Sequence, residues 1–210
     1  MDLRDLAGLT VDRLKIRYPD AMCTLDFEKP WHLLVAAILS AQCTDARVNL
    51  ITPALFERYA DLEMLAKADV AQLEVLVRSC GLYRTKARNI LASARLLLHD
   101  FDGELPRTAQ DLVRLPGVGR KIANLILGDC YHIPAIVVDT HCARISKLIG
   151  LTDSPDPLAV ERDLARVLPE QDWIAYGHLM VTHGREICIA RRPDCPQCPL
   201  QDICRYNQSK

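Results

Sequence analysis

Residues 108–127 read TAQDLVRLPGVGRKIANLIL, and this stretch predicts two short helices joined by a tight turn. Apolar residues line one edge of each helix: Leu112 and Leu115 in the first, Ile122, Leu125 and Ile126 in the second. Pro116, Gly117, Val118 and Gly119 form the turn, because glycine adopts positive φ and allows close backbone approach. The stretch therefore predicts a helical hairpin.

The start of the second helix combines free backbone N–H groups with positive charge. Arg120 and Lys121 lie there, and the helix dipole adds to their attraction for an anion. An isolated Gly-x-Gly is also found in ordinary helical hairpins. The longer sequence LPGVGRK, residues 115–121, is more specific and favours a phosphate site.

The apolar spacing is helical along the rest of the chain as well. We expect helices at 31–40, which is apolar nearly all round, at 48–59 behind Thr44 and Asp45, at 69–81 behind Asp69, and at 87–98. Residues 135–138 follow Pro134 and predict an extended connector rather than a strand. The prediction is an all-α protein.

Composition narrows the class of protein. Half of the 210 residues are hydrophobic and a quarter are charged, so one domain or two small ones can form, and long disorder is excluded. The longest apolar run, residues 33–39, is too short to cross a bilayer, and the N-terminus lacks the apolar core of a signal peptide. We expect a cytoplasmic protein, in which nine cysteines do not indicate a disulfide framework.

Four of the cysteines follow one another with the spacing Cys188-x6-Cys195-x2-Cys198-x5-Cys204. Zinc and a [4Fe–4S] cluster both accept four thiolates. Zinc ribbons usually contain two Cys-x-x-Cys pairs, whereas this segment has one with long outer spacings, so we favour the cluster and keep zinc as the alternative. The other five cysteines lie on apolar helical faces and are expected to pack as small hydrophobic residues.

The formal net charge of −1 hides an uneven distribution. Residues 78–95 carry five basic residues and no acidic one, whereas residues 151–172 carry six acidic residues and two arginines. If the basic segments share a face, they attract a polyanion although the total charge is near zero.

Three more stretches match a known family in sequence order: LLVAAILSAQCTD at 33–45, GLYRTKA at 81–87 and VDTH at 138–141. With the hairpin and the cysteine spacing, the chain resembles the endonuclease III family of helix–hairpin–helix DNA glycosylases over essentially its whole length. The resemblance implies two helical domains, residues 23–133 and residues 1–22 with 134–210. It places DNA in a groove between them and a [4Fe–4S] cluster on the four cysteines of the C-terminal loop.

The resemblance also implies a reaction. Lys121 corresponds to the nucleophile and Asp139 to the catalytic carboxylate of a bifunctional glycosylase and abasic-site lyase that removes oxidised pyrimidines from duplex DNA. An amine attacks only in its neutral form, and we expect partial burial of Lys121 beside Arg120 to favour that form.

DNA contacts follow from the same resemblance. Gln42 fills the space that the extruded base leaves, and Leu82 wedges the opposite strand. The other predicted DNA-binding residues are Gly117, Gly119, Arg120, Arg191 and Arg192. Asp45 and His141 are expected near the lesion pocket.

Two alternatives stay open at this point. The first keeps the chemistry and changes the lesion to pyrimidine dimers or to abasic sites alone. The second is a non-catalytic iron–sulfur module that binds DNA or has a redox role. In each case we expect a monomer in the bacterial cytoplasm or nucleoid, with DNA as its partner and no membrane.

Overall fold

The structure is a computed structural model that describes residues 1–209, and all of its regular secondary structure is helical. No β-strand occurs within this range, so the prediction of an all-α protein is confirmed. Twelve α-helices lie within residues 1–209: α1 Leu3–Arg17, α2 Pro30–Ser40, α3 Asp45–Arg58, α4 Leu62–Ala66, α5 Val70–Val77, α6 Tyr83–Asp100, α7 Ala109–Leu112, α8 Arg120–Tyr131, α9 Thr140–Ile149, α10 Pro157–Val167, α11 Trp173–Glu186 and α12 Arg205–Gln208. Short 3₁₀ turns cover Arg78–Cys80, Glu170–Asp172 and Cys195–Gln197.

The chain divides into two compact units. Cys23–Tyr131 form one of them, here called the hairpin unit. Met1–Met22 and the segment that begins at His132 form the other, here called the cysteine-loop unit. The chain thus leaves the hairpin unit two residues before the predicted domain boundary at residue 133.

Helix α2 is the centre of the hairpin unit. Every residue from Trp31 to Leu39 is buried, as the nearly continuous apolar sequence predicts, and α2 packs against α3, α6 and α8. A leucine buried in this way, such as Leu33 or Leu39, contributes about 2 kcal/mol to stability. The helix that precedes Gln42 is therefore rigidly held.

The helix boundaries follow the predicted capping residues. Thr44 accepts a hydrogen bond from the backbone N–H of Arg47, and Asp69 accepts one from that of Gln72. At the other end of a helix, the N–H of Gly103 donates to the Leu97 carbonyl over 2.9 Å, and its φ of +79° closes α6. These three boundaries agree with the sequence to within about three residues.

In the cysteine-loop unit, α11 packs against α1 and α9. Tyr176 of α11 is fully buried, and its hydroxyl is 2.7 Å from that of Ser146 on α9. Residues 132–139 are neither helix nor strand, which agrees with the prediction of a connector rather than a strand at 135–138. Among the described residues, no helix is both long and apolar enough to cross a membrane.

Candidate functional site

The turn of the hairpin is fastened to α6. The Ser93 hydroxyl donates to the Pro116 carbonyl over 2.9 Å, and Asn89, one helical turn earlier, packs against Gly117. Gly117 has a φ of +84°, and a Cβ there would lie 2.8 Å from Asn89 Nδ2. Both reasons for a glycine, positive φ and close approach, therefore apply at position 117.

Gly119 differs from Gly117, and the expectation of a positive φ there is wrong. A Cβ at position 119 would meet no protein atom within 4 Å. Its carbonyl accepts from Ala123 N over 3.0 Å, so Gly119 stands at the start of α8 with open space in front of it. No packing within the protein requires glycine at this position.

The two glycines predict different effects of alanine. Gly117→Ala is expected to destabilise the protein by about 2 kcal/mol, because the alanine is held at positive φ against Asn89. Gly119→Ala is expected to cost less than about 1 kcal/mol, the difference between these residues at a helix start. If the predicted phosphate site is correct, its main effect is weaker DNA binding, because the added methyl group would occupy the open space in front of Gly119. Thermal unfolding and DNA titration of both variants check this, and unchanged DNA affinity of Gly119→Ala would contradict a phosphate contact.

Lys121 and Arg120 occupy the first turn of α8, and both side chains are exposed. The expectation that Lys121 is partly buried is therefore wrong for the free protein. The hairpin turn holds α8 at its N-terminal end, but the amine at residue 121 extends into solvent.

Asp139 is the N-cap of α9 in the cysteine-loop unit. Its Oδ1 accepts a hydrogen bond from the backbone N–H of Cys142 over 2.7 Å, and the side chain is half-buried. The carboxylate is thereby fixed in orientation, and its second oxygen is not used by this cap. The structural role and the predicted catalytic role are compatible.

The residues on either side of Asp139 pack against glycines of α11. A Cβ added to Gly177 would lie 3.3 Å from Val137 Cβ, and a Cβ added to Gly184 would overlap the ring of His141. The spacing of seven residues puts both glycines on one face of α11. His141, which the sequence places near the lesion pocket, thus packs its ring on the backbone of α11.

Gln42 and Leu82 share a rare backbone conformation. Both have positive φ, +54° and +46°, which costs a non-glycine residue about 1–2 kcal/mol, and both side chains are exposed. Leu82 is 60% exposed although it is a large apolar residue. Strain of this kind persists where surrounding structure imposes it, and it is concentrated at functional sites.

Asp45, the other residue placed near the lesion pocket, begins α3. Its Oδ2 accepts from the Thr24 hydroxyl over 2.6 Å, while the neighbouring Thr44 caps the helix. Asp45 therefore connects the start of the hairpin unit to α3, a contact that no local sequence pattern indicated.

Not every basic residue of the segment 78–95 lies at the protein surface. Lys86 is buried, with 3% of its side chain exposed, and Arg95 donates from Nε to the Ala66 carbonyl over 2.9 Å. Counting Lys86 toward a DNA-binding face is therefore wrong, whereas Arg95 is exposed and can still contribute its charge to such a face. Lys86, like Asn89 and Ser93, is a residue whose role the sequence did not reveal.

The four cysteines of the C-terminal loop line one cavity. Arg144 donates to Cys188 twice, from Nη1 to Sγ over 3.5 Å and from Nη2 to the carbonyl over 2.6 Å. Cys198 Sγ is 3.5 Å from Nε2 of the buried His183. Four cysteines that line one cavity, with a cationic donor at the sulfur of one of them, have the donor set that an iron–sulfur cluster requires.

Burial raises the pKa of the Cys198 thiol to about 11 and also raises that of Cys188. Without the cluster both thiols are therefore protonated at neutral pH, and they would have to lose these protons to hold iron as thiolates. Burial lowers the pKa of His183 to about 4, so that its ring is neutral beside the cysteines.

Arg191 and Arg192 lie in the loop between Cys188 and Cys195, and both are exposed. Arg205 lies beside the last cysteine but is paired with Asp153 over 2.6 Å and with the Lys147 carbonyl over 3.0 Å. All three arginines are exposed, but Arg205 also contacts other groups of the protein, the Asp153 carboxylate and the Lys147 carbonyl.

A phosphate-binding type of hairpin in one unit and a four-cysteine cavity in the other define a class of protein. Residues 35–170 match the HhH-GPD superfamily of base excision DNA repair proteins, and residues 188–204 match the iron–sulfur binding domain of endonuclease III. Endonuclease III of Synechocystis sp. is 47% identical over 93% of this chain and 90% of its own length.

Two solved structures are similar throughout. The structure of a non-covalent endonuclease III–DNA complex and that of a trapped endonuclease III–DNA covalent intermediate each have a TM-score of 0.94 and 41% identity. Each covers 100% of this chain, which in turn covers 98% and 99% of theirs. The chain belongs to the endonuclease III family of the HhH-GPD superfamily, and its cofactor is a [4Fe–4S] cluster.

Proposed function

We propose that the chain removes oxidised pyrimidines from duplex DNA as a bifunctional glycosylase and abasic-site lyase, with Lys121 as the nucleophile. Its place in base excision repair follows from its family. The observation that carries the proposal is an exposed primary amine in the first turn of α8, directly after the hairpin turn. A relative at 41% identity has been trapped as a covalent intermediate with DNA, which supports covalent catalysis here.

The reaction begins when the neutral amine of Lys121 attacks C1′ of the damaged nucleotide. The C1′–N bond breaks, and the base leaves with the bonding electrons and takes up a proton. The amine loses a proton, the sugar ring opens, and a Schiff base joins Nζ to C1′. Removal of a proton from C2′ then expels the 3′ phosphate, and the strand breaks 3′ to the lesion. Water finally hydrolyses the Schiff base and regenerates the amine.

Asp139 supplies the negative charge for this reaction. Its cap to the Cys142 N–H holds the carboxylate in one orientation. A fixed carboxylate stabilises positive charge that develops on the sugar, and it accepts the proton that the attacking amine releases. Both functions require the charge, whereas capping requires only an oxygen acceptor.

The hairpin provides a phosphate site. Gly119 leaves the start of α8 accessible, and backbone N–H groups, the helix dipole and Arg120 favour an anion there. Gln42 and Leu82 act on the bases instead: the amide pairs with the orphan base, and the apolar leucine interrupts stacking. Their positive φ and exposure support these roles.

Cys188, Cys195, Cys198 and Cys204 hold the cluster, which supplies a rigid cross-link for the C-terminal loop. Between the first two cysteines, Arg191 and Arg192 are thereby directed toward DNA phosphates. Asp45 and His141 contribute to the surroundings of the lesion through the positions of α3 and α9.

Loss of one ligand is expected to release the cluster. Cys204→Ala should lower the iron and sulfide content toward zero and destabilise the protein by several kcal/mol, on the order expected when a structural metal site is lost. Cys130→Ala is the matched control, because Cys130 belongs to the hairpin unit and the four ligands belong to the cysteine-loop unit. A Cys204→Ala protein with the full iron content would contradict the ligand assignment.

A panel of duplexes tests the proposed function. Each contains one lesion: an oxidised pyrimidine, a pyrimidine dimer, an abasic site or no damage. We expect release of the oxidised base with strand cleavage, and cleavage at the abasic site. Cleavage restricted to dimers or to abasic sites would contradict the proposed lesion, and tight binding without any cleavage would favour a non-catalytic DNA-binding or redox module.

The proposed reaction also indicates the oligomeric state and the cellular location of the protein. A single chain carries the amine, the carboxylate and the cluster ligands, so a monomer suffices for activity. The DNA partner places the chain in the bacterial cytoplasm or nucleoid. Light scattering of the free protein and of its complex with a short duplex checks the monomer.

A further inference from the structure

Lys86 is a buried cation that the proposed reaction does not use. It lies in the first turn of α6 with 3% of its side chain exposed. Its ammonium donates to two backbone carbonyls, that of Leu39 over 2.8 Å and that of Cys80 over 2.5 Å. One side chain thus joins two segments that are 41 residues apart in sequence.

The two carbonyls belong to the segments that precede the strained residues. Leu39 is in the last turn of α2, three residues before Gln42, and Cys80 ends the 3₁₀ turn two residues before Leu82. Carbonyls at helix ends have no partner within the helix, and Lys86 provides one for each.

The backbone of Lys86 also contacts the turn that carries Leu82. Its N–H donates to the Leu82 carbonyl over 3.1 Å, so that residues 80 and 82 are both bonded to the same residue. In the turn that follows α2, the N–H of Cys43 donates to the Ser40 carbonyl over 3.0 Å and closes the turn around Gln42. Lys86 therefore connects the two turns that carry Gln42 and Leu82.

Burying an ammonium group at this position costs free energy. Burial lowers the pKa of Lys86, because removal from water disfavours the charged form. Apolar side chains of similar volume generally stabilise a core as well or better than buried charges do. An apolar residue, however, cannot donate hydrogen bonds from one atom to both the Leu39 and the Cys80 carbonyl.

We propose that Lys86 is a positioning residue that holds Gln42 and Leu82 together in the conformation that enters the DNA gap. The inference rests on the proposed function of those two residues. It assigns Lys86 an effect on the removal of a stacked base that operates through Gln42 and Leu82 alone.

The first test is amide hydrogen exchange of the full chain, which needs no substrate. In Lys86→Met, exchange of the Cys43 and Thr85 amides is expected to accelerate at least about tenfold, because the bonds to Ser40 and Leu82 lose their anchor. Amides of α8 should keep their rates. Leu97→Ala, which removes a fully buried side chain from the distal half of α6, is the matched control for general destabilisation.

The second test is a mutant cycle on single-turnover excision of an oxidised pyrimidine. Lys86→Met is expected to slow excision about tenfold, since small displacements of positioning groups have effects of this size. In a chain that already carries Gln42→Ala and Leu82→Ala, the same change should add less than about twofold, because nothing remains to be positioned. Leu97→Ala should have the same effect in both backgrounds.

A full tenfold effect of Lys86→Met in the Gln42→Ala, Leu82→Ala background would overturn the proposal, and so would unchanged exchange at Cys43 and Thr85. If Lys86→Met does not fold, Lys86→Gln keeps a donor for one carbonyl and takes its place in both tests. Wild-type protein that leaves the oxidised base in place would refute the proposed lesion instead, while the exchange experiment still decides the role of Lys86.

Discussion

Replacing Lys121 with alanine is expected to abolish the covalent complex that borohydride traps between the protein and abasic duplex DNA. The nucleophile is the one group whose removal leaves no route to a Schiff base, so cleavage should fall by at least about 10³-fold. Lys121 is exposed in the first turn of α8, and its replacement should leave the melting temperature unchanged. Gel analysis of trapped complexes and single-turnover cleavage measure both effects.

The neighbouring cation provides the control. Arg120→Ala removes one positive charge from the same helical turn but keeps the amine of Lys121. Weaker DNA binding with a shallower salt dependence is expected, because one phosphate fewer is neutralised, together with normal trapping once the protein is saturated with DNA. Normal trapping by Lys121→Ala would show that another amine is the nucleophile.

Asp139→Asn is expected to have the second largest effect. Asparagine caps a helix as well as aspartate does, so α9 should keep its start and the free energy of unfolding should change by less than about 0.5 kcal/mol. The charge is lost, however, and base excision should slow by about 10²- to 10⁴-fold. Thermal unfolding and single-turnover excision of the same preparation separate the two functions of the residue.

Asp139→Ala completes the comparison. It removes both the charge and the cap to Cys142, so it should add about 1 kcal/mol of destabilisation to the same loss of excision. If Asp139→Asn excises the base at the wild-type rate, the carboxylate is only a cap, and another acidic group performs the chemistry.

Local patterns were sufficient to predict much of the fold. The uninterrupted apolar run of α2 required a central position, Thr44 and Asp69 marked helix starts, and Gly117 marked the hairpin turn. Each of these features has a signature in a short run of consecutive residues, although Gly117 and α2 also make contacts with distant parts of the chain. The family sequence stretches then supplied the candidate residues for chemistry.

Interactions between distant residues could not be predicted in the same way. The basic run at 78–95 gives no sign that Lys86 turns inward to carbonyls of α2 and the 3₁₀ turn, because its acceptors are backbone atoms with no sequence signature. The exposure of Lys121 and the packing of His141 on Gly184 depend on where helices meet, which a spacing rule does not specify.

The most direct measurement combines borohydride trapping with peptide mapping. Its substrate is a DNA duplex that has an intact sugar–phosphate backbone and contains one oxidised pyrimidine. Reduction with borohydride during a single turnover, followed by digestion and mass spectrometry, should locate the DNA adduct on Lys121, with one equivalent of free base released per adduct. An adduct on another residue, or release of base with no adduct under reducing conditions, would contradict Schiff-base catalysis by Lys121.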